Sequence, residues 1–382
     1  MRSIRDIPHF ERIPILVRAA LNVPVVNGKV VNTYRLRRAL PTIQFLVKKG
    51  ARVVLIGHIG EQGTETLLPV AEALKTFIPN VSFCSESIGP VARSTVRELA
   101  PGHILVLENL RRHKGEKAND SGFAKELASL ADVFVEDSFD TCHRPDASII
   151  GVPHFLPSYA GFVVEEEVRE LTSALSPKHP ALAVIGGAKF STKEGVLTRL
   201  LSIYDHVFVG GALANDFLKA AGHPIGKSLV SPLNEEAIKI VLAHPKLILP
   251  VDSIVVSEQW LTAPNPREHA RVASLDDVRP DEIILDHGPG TQSLLAAHAG
   301  NAKAILWNGP LGNYERGFND ATNAFAKAVA NTKARSVIGG GDTVAAIETL
   351  GLLTHFSFVS TGGGSMLDFL AKGSLPGVDA LN

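Results

Sequence analysis

Short β-prone apolar runs alternate along the chain with longer stretches whose apolar residues return every three or four positions. In the first half the runs are Ile13–Arg18, Arg52–Ile56, Val81–Cys84, Ile104–Glu108 and Val133–Glu136. Between them, Arg35–Lys49, Leu67–Phe77, Val91–Leu99 and Gly122–Leu130 carry helical spacing, with Leu36, Leu40, Ile43 and Leu46 as the stripe of the first. The rhythm breaks at Pro153, Pro157 and Gly161, and Phe162–Leu175 then predicts one helix bridging two domains. Alternation resumes with strands Ala181–Ile185, His206–Val209, Leu247–Val251, Ala304–Trp307, Arg335–Ile338 and Phe356–Val359. The intervening helices are predicted over Lys193–Ser202, Leu213–Ala221, Leu233–His244, Thr291–His298, Ala321–Ala330, Val344–Leu350 and Met366–Leu370. Ser257–Pro280 is polar and reads as a surface excursion or weak hairpin.

Strands separated by helices predict α/β architecture: two doubly wound, parallel-sheet (Rossmann-like) domains joined by a helical hinge. The expected boundaries are 1–160, 161–366 and a tail, 367–382, apolar enough to pack on something. A length of 382 residues suits two cores, and 45% hydrophobic with 20% charged residues suits globular ones. The formal net charge of −1 provides no field to recruit nucleic acid or an anionic membrane. Cys84 and Cys142 show no pairing signature, and no apolar run suggests a signal peptide or membrane span, so a cytoplasmic location is expected.

In such sheets ligands bind beyond the carboxyl ends of the strands. Two glycine-rich turns occupy that position: Gly339-Gly340-Gly341-Asp342-Thr343 and Ser360-Thr361-Gly362-Gly363-Gly364. Consecutive glycines let backbone N–H groups point into one space, and a helix starting there adds its unpaired first-turn donors. That suits a phosphate, with Asp342 placed to hold a metal that bridges phosphate oxygens. Plain tight turns would use the same glycines. In the first half Arg18, Arg35, Arg111 and Arg144, with His58 and His143, all fall at strand ends or helix starts. Guanidinium groups from separate loops suit a small, multiply charged anion, although any one of them alone reads as an ordinary surface arginine. The second half adds Gly186-Gly187-Ala188-Lys189 with Lys193, placed to face a nucleotide phosphate, and Gly210-Gly211, small enough for a flat base. Trp307-Asn308-Gly309-Pro310 is a rigid turn, and Glu315 after it can accept from ribose hydroxyls.

Gly222–Ser228 falls one residue short of a P-loop and follows a helix, and no GxGxxG opens the first βα unit, which weighs against a nicotinamide oxidoreductase. His58, His113 and His143 lack zinc-ligand spacing. Taken in order, Arg18…Asn22-Val23-Pro24, Gly57-His58-Ile59-Gly60, Leu107-Glu108-Asn109-Leu110-Arg111, Asp137-Ser138-Phe139…His143-Arg144, Gly186-Gly187-Ala188-Lys189, Trp307-Asn308-Gly309-Pro310 and the two glycine turns resemble phosphoglycerate kinase. The resemblance implies a monomer in which one domain binds phosphoglycerate, the other binds Mg-ADP or Mg-ATP, and closure brings them together. Asn22, Arg35, His58, Arg111, His143 and Arg144 would hold phosphoglycerate. Gly186, Lys189, Lys193, Gly210, Gly211, Asn308, Glu315, Gly340, Gly341, Asp342 and Thr343 would hold the nucleotide, with Asp342 on magnesium. Arg35, Lys193, Gly362 and Gly363 would serve the transferring group.

Departures from the family pattern cluster in the first half. Ala20 stands where the family has an aspartate, Glu61 where it has an arginine, and Asp140 where it has a glycine. They motivate one alternative, a relative that binds nucleotide but has weak or lost catalysis.

Overall fold

A computed structural model of the chain describes residues 1–232 and 235–382. It separates into two compact units, 1–169 together with 374–382, and 170–373. The division falls inside the helix Phe162–Ala174.

The first unit is built on a six-stranded parallel sheet. Its order across is Val81–Cys84, Ile104–Leu107, Arg52–Ile56, Pro14–Arg18, Val133–Glu136 and Ser158–Ala160. The strand Pro14–Arg18 is buried throughout, as a central parallel strand covered on both faces must be. The helix Tyr34–Lys48 buries Leu36, Ile43 and Leu46 of the stripe read from sequence, with Ala39 beside them, while Leu40 packs only partly buried against the same core. Chain order reverses between Pro14–Arg18 and Val133–Glu136, so a crevice opens beyond Arg18 and Glu136, which pair in register. The last residues belong to this unit. Leu375, Val378 and Leu381 are buried, and Gly377 N–H donates to Cys142 O at 2.8 Å.

The second unit repeats the plan, in the order Leu247–Ile248, His206–Val209, Ala181–Ile185, Ala304–Asn308, Arg335–Gly339 and Phe358–Val359. Its reversal lies between Ala181–Ile185 and Ala304–Asn308. Asn308 pairs with Ile185 on one side and Gly339 on the other, which places the turns after all three strands side by side.

The two doubly wound sheets match the α/β expectation, with local corrections. Asp252–Ser257, Arg271–Ser274 and Glu282–His287 form a small antiparallel sheet where the sequence suggested at most a weak hairpin. Its strands alternate too irregularly for a period-2 reading, and Val272 faces solvent. Ser158–Ala160 is an edge strand within the stretch read as a break, too short to show a pattern. Only Leu247–Ile248 of the expected Leu247–Val251 strand pairs in the sheet. Of the expected helix Leu233–His244, the first two positions lie outside the described residues, and the structure shows a helix over Glu235–Leu242. The helices after the glycine turns begin earlier than predicted, at Gly341 and Gly364, because the glycines themselves form the first turn.

Candidate functional site

At the crevice of the first unit, four arginines surround one histidine. His58 is 3% exposed. Burial, then the positive charges of Arg18, Arg111, Arg144 and Arg35, push its pKa down to about 2, so the imidazole is neutral. Arg18 NH2 lies 3.3 Å from His58 Nδ1. A guanidinium can only donate, so Nδ1 accepts and the ring proton sits on Nε2, which has no partner. Arg18 itself is buried, held by Ser148 Oγ at 3.0 Å and Ala19 O at 3.1 Å.

The remaining arginines are held differently. Arg35 starts the helix Tyr34–Lys48, donates to Asn22 O at 3.0 Å and pairs with Asp140 at 3.3 Å. Asp140 is fixed in turn by Ser138 Oγ at 2.6 Å. Asn22 Oδ1 accepts from Gly60 N at 3.1 Å. Arg111 donates to Gly60 O at 2.6 Å and pairs with Glu61 at 3.1 Å. His143 and Arg144 are half-buried on the loop after Phe139–Thr141. The structure therefore gathers Arg35, His58, Arg111 and Arg144 around one point. Behind them Asp137 is fully buried, and burial raises its pKa to about 8. Its Oδ1 accepts from Thr42 Oγ1 and from Val163 N, both at 2.9 Å, which caps the helix Phe162–Ala174.

In the second unit a cavity of about 330 Å³ lies beyond the strand ends, at the sheet reversal. Gly187, Gly211, Pro310 and Leu311 form part of its wall, with Glu315 and Asp342 at its edge. The turns beneath it interlock backbone to backbone. Gly309 has φ +96°, and a Cβ there would stand 2.5 Å from Gly186 O. Gly211 has φ +65°, and its Cβ would meet Pro310 O at 2.9 Å. Gly210 and Gly186 lie in the same layer. Lys193 lies over Gly187, where a Cβ would meet Lys193 Cε at 3.1 Å. Lys193 is 8% exposed, and burial lowers its pKa to about 8. Lys189 is exposed beside it.

Gly340 and Gly363 are the N-caps of the helices Gly341–Thr349 and Gly364–Lys372, and neither helix has a side-chain cap. No side chain therefore covers the start of either helix, although Ser365 N–H is already donated to Gly362 O at 2.9 Å. Gly362 differs: its N–H donates to Ser360 Oγ at 2.9 Å. Thr343 is fully buried with its hydroxyl unpartnered. Asn308 is buried and directed to Met366 Sδ at 3.4 Å, away from the cavity.

Sequence reasoning missed Asp286 and His287, which line the cavity. Asp286 accepts from the N–H groups of His287, Asp320 and Ala321, and burial raises its pKa to about 6. His287 Nε2 accepts from Gly211 N at 3.0 Å and so fixes that turn. The signal was the β-prone run Glu282–His287 ending before Gly288-Pro289, a strand followed by a proline-started helix.

Arginines gathered on a neutral histidine in one α/β unit, and glycine turns with an uncapped helix start around a cavity in the other, define the class: a protein that handles phosphorylated small molecules. The phosphoglycerate kinase family model matches residues 4–373. The phosphoglycerate kinase of Moorella thermoacetica is 42% identical over 380 residues, covering 96% of this chain and 95% of that protein. That of Roseiflexus castenholzii is 40% identical over 396 residues, covering 100% and 99%. Among solved structures, phosphoglycerate kinase from Coxiella burnetii superimposes with a TM-score of 0.83 at 38% identity, covering 99% of this chain and 98% of that one. The enzyme from Pyrococcus horikoshii gives 0.88 at 30% identity, covering 100% and 98%. The chain belongs to the phosphoglycerate kinase family.

Proposed function

We propose that the chain catalyses reversible phosphoryl transfer between 1,3-bisphosphoglycerate and ADP, giving 3-phosphoglycerate and ATP, as a cytoplasmic monomer hinged on the helix Phe162–Ala174. The observation that carries this reading is the convergence of Arg35, Arg111 and Arg144 on neutral His58. Guanidinium forks grip phosphate and carboxylate oxygens, and a neutral Nε2–H adds one directed donor. Asn22, beside Arg35, and His143, beside Arg144, complete the phosphoglycerate set.

The cavity of the second unit suits ADP. Gly210-Gly211 and Leu311 flank the base, Glu315 accepts from the ribose, and the amides of Gly340–Thr343 face the phosphates. Asn308 supports this turn from behind through Met366. Magnesium fits these residues. Asp342 is an exposed carboxylate at a helix start, and among the described residues no group of three or more His, Cys, Asp or Glu could form an all-protein cage. One carboxylate would thus share the cation with the nucleotide's phosphates, where it lowers their mutual repulsion. Lys193, buried beside Gly187, places an ammonium where poor hydration strengthens its pull on the migrating phosphoryl group, with Lys189 behind it. Arg35 is assigned to the reacting end of the phosphoglycerate, and the amides at Gly363 and Gly364 to that of the nucleotide. Gly362 acts indirectly, because its own N–H shapes the turn. No general base is required, since the attacking carboxylate or diphosphate oxygen is already anionic.

Nothing in the fold or the comparisons favours a non-catalytic role. The test is ATP formation from 1,3-bisphosphoglycerate and Mg-ADP by the purified protein, and no turnover where a control kinase is active would refute the reading.

A further inference from the structure

Arg111 is a buried cation with an unusual counter-ion. Its side chain is only 2% exposed, whereas that of its partner Glu61 is 70% exposed. Arg111 NH1 donates to Gly60 O and pairs with Glu61 Oε2, while Nε has no partner at all. Among the described residues no other carboxylate lies within ion-pair distance of it. The loop that carries Glu61 is tied down. Gly60 and Gly63 both have positive φ, Gly63 lies against the Arg111 carbonyl, and Lys117 Nζ donates to Glu61 O at 2.9 Å. The backbone is therefore anchored while most of the Glu61 side chain remains in water. Arg35 shows the opposite arrangement. Its counter-ion, Asp140, is buried and locked by Ser138 Oγ.

We infer that Glu61 is a displaceable internal anion: it neutralises buried Arg111 in the free protein and competes with the ligand's anionic group for that guanidinium. A buried guanidinium left without a counter-charge is costly, so an empty site needs such a carboxylate. A hydrated carboxylate gives up little when it leaves, so an incoming phosphate can replace it. Asp140 trims the charge of the site permanently, whereas Glu61 trims it only until ligand arrives. The consequence is a weakened grip on the anion and an easier release, a specificity-determining role for a residue that forms no bond with the ligand. The inference rests on the reading of this face as the phosphoglycerate site.

The test is calorimetric titration of wild type, Glu61→Gln and Glu65→Gln with 3-phosphoglycerate and separately with inorganic phosphate. Glu65, whose carboxylate lies over Gly60 and bonds to Thr64 Oγ1 at 3.1 Å, is a neighbouring charge not paired with a guanidinium. Glu61→Gln should tighten anion binding by about two- to fivefold, the range that an exposed ion pair supplies, and Glu65→Gln by clearly less. Tighter phosphate binding without any phosphoglycerate binding would uphold the inference and sink the functional reading instead. Unchanged affinity in Glu61→Gln, equal gains in both variants, or no anion binding by any of the three proteins would overturn it.

Discussion

Lys193→Met should make the protein more stable and nearly inactive at once. The lysine is 8% exposed, and its pKa falls from 10.5 to about 8 through burial alone, with no carboxylate offsetting the cost. Holding the charge in the folded state at pH 7 therefore costs on the order of 3 kcal/mol. The sign is fixed by linkage: the folded-state pKa is depressed, so the unfolded chain binds the proton more tightly and the penalty is complete below pH 8. It fades as pH rises toward 10.5. Methionine keeps the unbranched stem and removes the charge, so the variant should melt several degrees higher near pH 7, and this advantage should shrink above pH 8. Turnover should drop about 10²- to 10³-fold or more, the loss typical when one preorganised positive group is removed from a transition state. Thermal melts across pH 6–10 and initial rates of ATP formation read the two effects separately. A lower melting temperature with near-normal turnover would refute both the burial cost and the placement of the ammonium.

In wild type, kcat/KM should fall above about pH 8 as Lys193 loses its proton, and Lys193→Arg, at a lower absolute rate, should lack that alkaline limb in a pH–rate profile. Asp137 has a folded pKa of about 8 against an ordinary carboxylate value of 3.8, so its contribution to stability is full below pH 4 and is lost as pH rises to 8. Asp137→Asn should flatten that slope in denaturant melts, and parallel slopes would disprove the assignment. Gly309→Ala must place a Cβ 2.5 Å from Gly186 O at φ +96°, costing on the order of 3 kcal/mol. It should lower both melting temperature and ADP affinity, and an unperturbed titration would show that the turn yields easily.

The alternation of strands and helices, the two parallel sheets and the glycine turns at their carboxyl ends are legible from the residues alone. Those features are written in windows of a few residues: an apolar period, a bare glycine run, a proline at a helix start. How the charges are used depends on the folded packing. Arg18, Arg35 and Arg111 look alike in sequence, yet one is buried to set the tautomer of His58, one is locked to Asp140 and one is balanced by an exposed carboxylate. Asp286 and His287 entered the site unannounced, because their strand belongs to a small sheet whose irregular alternation hid it. Partners such as Arg18 and Ser148, 130 residues apart, meet because strand order places the ends of distant segments together. Local periodicity contains no information about which loop lies across the crevice.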